Sequence, residues 1–156
     1  MIVVAIVAIL AAIVIPNFTS ESAKSKARSE TSAVLAEFSS KEEQYHSDYG
    51  VYHDSLTTCP TSPSATTQSI ATCIALADWI ALRIASPESK LACTYYVKTG
   101  AAGTNPSPPA AFVLPTNPAS SWYYILATCN FKNSATNSTY LTSNLDSTIQ
   151  ASNEGM

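Results

Sequence analysis

Residues Met1–Ile15 read MIVVAIVAILAAIVI, an unbroken apolar run closed by Pro16, and the first charged residue after it is Glu21. A helix that is apolar on every side has to be covered by lipid or by other protein. These fifteen residues rise only about 22 Å, whereas a hydrocarbon core of about 30 Å takes about 20 residues. The run is short for a span by itself. No Lys or Arg precedes it either, so the basic flank of a secretory signal peptide is missing. We therefore expect further sequence upstream, with Met1 an internal methionine. Pro16 lacks a backbone donor and crowds the carbonyl near Ala12, which marks it as the expected helix break.

Beyond Asn17 the composition changes to ESAKSKARSETSAVLAEFSSKEEQYHSDYGVY, with no Gly or Pro before Gly50, so helix should continue. Ala23, Ala27, Val34, Phe38, Tyr45, Tyr49 and Tyr52 recur at steps of three, four and seven, a stripe that should dock on a globular head. Lys26 with Glu30 and Glu37 with Lys41 stand at i, i+4 and are expected to pair on the opposite side, for about 0.2–0.5 kcal/mol each. A helix of nearly fifty residues would be about 75 Å long, far more than a small domain needs. His46 and His53 stand seven apart with Asp48 and Asp54 nearby, but Gly50 should end the helix between them. We expect an aromatic cluster there and no metal site.

The rest of the chain reads as a head. Residues 55–69, SLTTCPTSPSATTQS, form a Ser/Thr/Pro-rich surface loop, and Ile70–Ala85 is expected to be a short amphipathic helix with Ile70, Ile74, Ala77 or Asp78, Ile80 or Ala81, and Ile84 on one face. Strands are expected at Cys93–Lys98, Trp122–Phe131, Thr139–Thr142 and Ser147–Ala151, with a Gly/Pro/Asn-rich connection over residues 99–121. The fold class is α+β: a long N-terminal helical spine on an antiparallel sheet, with residues 1–22 as the apolar segment and 23–156 as the head. Cys59, Cys73, Cys93 and Cys129 lack the C-x-x-C spacing of zinc or redox sites and read as two disulfides, which places the head in an oxidising compartment. If the first two strands form a hairpin, Cys93 and Cys129 can be bridged and Cys59 pairs with Cys73. This is the most local of three connectivities, and the other two remain open to the sequence.

Charge and motifs narrow the function. The net charge is −3 with only 12% charged residues and no basic run, so nucleic-acid binding has no electrostatic support. The chain has no Gly-rich phosphate loop, no G-x-S-x-G and no H-E-x-x-H, and two histidines among many serines do not make a triad. We expect neither catalysis nor a cofactor.

Taken with Pro16-Asn17-Phe18, the opening run MIVVAIVAILAAIVIPNF resembles the N-terminal helix of type IV pilins just after their processing site. YHSDYGVY at residues 45–52 is similar to the end of the spine in short-spine pilins, and WYYILATCNF with TIQASNEGM resembles the tail of some pilins and minor pilins. The resemblance covers about half the chain and is most specific over residues 1–18. It implies a basic leader cut by a prepilin peptidase and a methylated Phe start about six residues before Met1. The family's near-terminal glutamate would then also precede Met1, so no residue of this sequence takes its role. It implies further that Met1, Ile2, Val3, Val4, Ile6, Val7, Ile9, Leu10, Ile13, Val14 and Ile15 form the membrane anchor and later the filament core, with local unwinding of about Ala8–Ile15 in the filament. The implied partners are copies of itself or other pilins, the inner membrane before assembly, and the pilus assembly machinery. The implied location is the inner membrane and then an extracellular filament. A type II secretion pseudopilin is a competing reading; no acidic calcium-binding loop stands near the C-terminus, where Asp146 and Glu154 are alone. A secreted or membrane-anchored, disulfide-stapled binding module is the other.

Overall fold

The computed structural model describes residues 2–54, 57–85 and 89–154, with residues 2–20 described as helix backbone alone. The protein is α+β. Helix α1 spans Ile2–Tyr49 and is followed by β1 (Gln68–Ser69), α2 (Ala77–Ala81), β2 (Lys90–Leu91), β3 (Thr94–Gly100), β4 (Trp122–Cys129), β5 (Ser138–Ser143) and β6 (Asp146–Ser152). Strands β3 to β6 form an antiparallel meander in chain order, and β1 pairs with β2 as a separate antiparallel ribbon.

Helix α1 runs on past Pro16, as the expected spine of nearly fifty residues requires. A proline forfeits one hydrogen bond of the ladder but its φ suits a helix, and the assigned helix runs on through it. It stops after Tyr49, where Gly50 takes a left-handed φ of 76° and its N–H reaches the His46 carbonyl at 2.8 Å. The side chains of Met1 through Ile15 lie outside the described residues. Among the described residues no helix is long and apolar enough to cross a membrane.

Among the described side chains of α1, which begin at Glu21, the first buried one is Ala23, and Ala27, Thr31, Val34, Leu35, Phe38 and Glu42 follow inside the protein. This stripe packs on β4 and β5. The alternation of β4 explains how one strand serves two cores. Tyr123, Ile125 and Ala127 join the helix-side cluster, while Trp122, Tyr124 and Leu126 project from the other face. There the connection over residues 101–121 folds back, and its Phe112 and Leu114 cover Trp122, Tyr124, Leu126 and Leu141. That second core had no signal in the composition of the connection. Gly100, paired with Trp122, is required by the indole ring: a Cβ there would lie 2.2 Å from the ring's Cζ2.

Cys59 is bonded to Cys73 and Cys93 to Cys129. The second pair joins the ends of β3 and β4, next to the Thr94–Thr128 register pair. The first holds the segment before β1 against the sheet, where Cys59 and Tyr95 exchange both backbone hydrogen bonds, at 3.1 and 3.0 Å.

Three expectations are corrected. The Ile70–Ala85 helix is reduced to Ala77–Ala81, because Leu76 is extended (ψ 141°) and interrupts it after the single bond from Ile74 N–H to the Ile70 carbonyl. Its inward side differs in part: Ile70 and Ile84 are buried as expected, together with Cys73, Trp79 and Leu82, whereas Ile74 and Ile80 face out, since the disulfide and the indole take the interior positions. Tyr49 is 63% exposed, because the last helical turn passes the end of the sheet, and it packs on Tyr45 instead. Tyr45 and Tyr52 are partly buried against the core. The third correction, the glutamates of α1, is described below.

Phe38 is the centre of the spine's contact. It meets Trp79 edge to face at 5.3 Å and stacks over Tyr95 at 6.0 Å. Phe38→Ala should cost about 3–5 kcal/mol in urea unfolding of the full chain in detergent, while Tyr49→Ala should stay within about 0.5 kcal/mol. Equal effects of the two substitutions would contradict this docking.

Candidate functional site

The feature that organises the spine is a series of carboxylates that grip backbone amides of the head. Glu30 accepts from the N–H groups of Ala92 at 3.0 Å and Cys93 at 2.8 Å, and from the Tyr95 hydroxyl at 3.1 Å. Glu37 accepts from the Ala85 N–H at 2.8 Å, and Glu42 from the His53 N–H at 2.9 Å. Sequence spacing put Glu30 and Glu37 in surface pairs with Lys26 and Lys41. They turn instead toward the segment between the two disulfides, because amides left outside helix and sheet need acceptors, and charged acceptors are strong ones. Glu30 and Glu37 are seven apart and flank the Ala27–Val34–Phe38 stripe. That i, i+7 spacing beside an apolar face is the signal that could have revealed them.

Glu42 is fully buried, and its Oε1 has no hydrogen-bond partner. Burial pushes its pKa up to about 7 against the favourable His53 N–H, with the charges of Asp54 and Glu43 adding to the rise. Around Glu42, His53 Nε2 lies 3.5 Å from Asp78 Oδ1, and the Tyr45 ring is 5.1 Å from the His53 ring. His46 stacks on Tyr52 at 4.3 Å, and Tyr52 meets Tyr123 at 4.9 Å. The two histidines therefore fall into separate aromatic contacts. Among the described residues no group of three or more His, Cys, Asp or Glu is placed to hold a metal ion.

At the other end of the head, the Arg28 guanidinium donates to both carboxylate oxygens of Glu154, at 2.7 and 2.8 Å, and Lys24 lies 3.6 Å from the same group. The Arg28 hydrogen bond, with the positive charges of Arg28 and Lys24, holds the Glu154 carboxyl below its ordinary range. The end of the chain is thus tied to the base of the docked half of the spine.

Comparison with protein-family models, with curated proteins and with solved structures gives no match for this chain. The functional reading therefore rests on its own residues.

The Glu42 carboxyl makes the fold sensitive to pH in a defined direction. Its folded pKa lies above the ordinary 4.5, so its protonated form is favoured by folding. This contribution is fully present below about pH 4.5 and is lost as the pH rises through about 7. Glu42→Gln keeps an acceptor for His53 without the charge. It should be more stable than the native chain above about pH 7, by on the order of 1–3 kcal/mol, with the difference fading toward pH 4.5. Unfolding midpoints measured across that range would contradict the burial argument if the substitution destabilised the protein at the alkaline end.

Proposed function

We propose that this chain is a structural subunit of an extracellular type IV pilus-like filament, held in the inner membrane before assembly and polymerised through its apolar N-terminal segment. The observation that carries the reading is the division of one 48-residue helix: its C-terminal half, from Ala23 on, is docked on the head, and its N-terminal part has the all-apolar sequence of residues 1–15. Such a helix is about 72 Å long, roughly twice the width of a head of this size. A spine of that length is useful to a protein whose free half is to be covered by neighbours.

The sequence resemblance and the α+β architecture, a long helix on an antiparallel meander, support the same reading. Two disulfides and the carboxylate anchors of the spine fit a head that must keep its shape outside the cell, where thiols oxidise. Contacts in such a polymer are head-to-tail and non-closing. The apolar segments move from lipid to one another, so packing between them supplies what net transfer energy does not.

Mass spectrometry of the N-terminal peptide in filaments sheared from producing cells tests the proposal. A peptide beginning upstream of Met1 with a methylated Phe is the expected result. A mature start after Ala11 or Ala12, or absence from the sheared fraction, would replace the filament reading with that of a secreted binding module.

A further inference from the structure

At the end of α1 the chain doubles back. Gly50 makes the turn with its left-handed φ of 76°, and residues 51–54, which belong to neither helix nor strand, come to lie against the helix they have just left. Three elements hold them. Glu42 Oε2 of α1 accepts from the His53 N–H at 2.9 Å. The Tyr52 ring packs on His46 of α1 at 4.3 Å and on Tyr123 of β4 at 4.9 Å, and its hydroxyl accepts from Asn144 Nδ2 at 3.3 Å. Asp54 Oδ1 accepts from the Thr99 N–H of β3 at 3.3 Å.

The two carboxyls in this set differ in kind. Asp54 is exposed, whereas Glu42 has no access to solvent and its Oε1 has no hydrogen-bond partner. The charges that act on Glu42 are those of Asp54 in the turn and Glu43 on its own helix, both negative. Tyr52 also interacts with it, His53 gives it the amide, Asp78 of α2 stands 3.5 Å from His53 Nε2, and Tyr123 of β4 acts on Glu43. An ionised Glu42 thus keeps a bare oxygen in the interior beside two like charges. Swinging the turn away from the helix gives that oxygen water. Protonation removes the charge and with it the gain from opening.

We propose that residues 50–54 are a pH-controlled latch: the protonated Glu42 carboxyl keeps them closed against α1, and its ionisation opens them about Gly50, uncovering Tyr123 and the Thr99 amide of β3. The buried carboxyl titrates at about 7, against an ordinary 4.5, so the latch works around neutral pH. Its closing contribution is fully present below about pH 4.5 and is lost as the pH rises through about 7. The opening is local, because Ala27, Val34 and Phe38 stay docked on the head, and this distinguishes it from the change in overall stability described above. It does not depend on the filament reading.

Amide exchange of the full chain in detergent micelles, followed by NMR at about pH 5.5 and about pH 8 and corrected for the intrinsic rate, tests the latch. The opening constant at the His53 and Thr99 amides should rise by about tenfold or more over that interval and depend little on urea. The Ile125 and Ala127 amides of β4 should exchange through a rarer, strongly urea-dependent opening. Glu42→Gln should make the opening at His53 and Thr99 independent of pH, and Asp78→Asn should leave its pH dependence in place. An opening constant that does not change with pH in the native chain would overturn the proposal. So would a rise that shares the urea dependence of the β4 amides, since the opening is then global. A pH dependence that survives Glu42→Gln and disappears in Asp78→Asn would assign the switch to the His53–Asp78 pair and equally overturn it.

Discussion

Everything in this protein is arranged around the docking of one face of a single long helix onto a four-stranded meander. Among the described side chains the face runs from the small residues Ala23 and Ala27 to Val34, Leu35 and Phe38, where Trp79 and Tyr95 close around it. The sheet cannot do without the helix, because β4 carries large apolar side chains on both faces and each face needs a cover. On one side the cover is α1. On the other it is the connection between β3 and β4, with Phe112 and Leu114.

Polar anchoring then fixes the register of that docking. Apolar contact is non-directional, so by itself it would tolerate small slides of the helix along the sheet. Glu30, Glu37 and Glu42 remove that freedom by binding the amides of Ala92, Cys93, Ala85 and His53, all in the irregular segment between the spine and the sheet. The two disulfides hold the same segment from the other side. Arg28 and Glu154 do the same for the end of the chain.

Much of this could be read before the structure, and for definite reasons. The stripe at Ala27, Val34 and Phe38 follows helical period over enough turns to stand out, and the strands are bounded by turn residues and rich in β-branched and aromatic side chains. Proximity along the chain is enough to favour the disulfide pairing that is present. Where the reading failed, a longer-range contact had overruled local periodicity. The helix expected at Ile70–Ala85 was interrupted once Cys73 was drawn to Cys59 and Trp79 to Phe38. Tyr49 kept its place on the stripe but ran past the end of the sheet. The glutamates were assigned to nearby lysines because spacing along a helix cannot reveal which amides of a distant loop need acceptors.

In the proposed filament the apolar N-terminal segment passes from lipid into contact with the same segment of neighbouring copies, and a photo-cross-linking residue in place of Ile9, introduced in producing cells and activated after filaments have been sheared off, tests this directly. A ladder of covalent oligomers of this chain is expected, with the cross-links mapping to the apolar segment of the neighbour. Cross-links to lipid alone, in a chain that stays with the cell membrane, would contradict it.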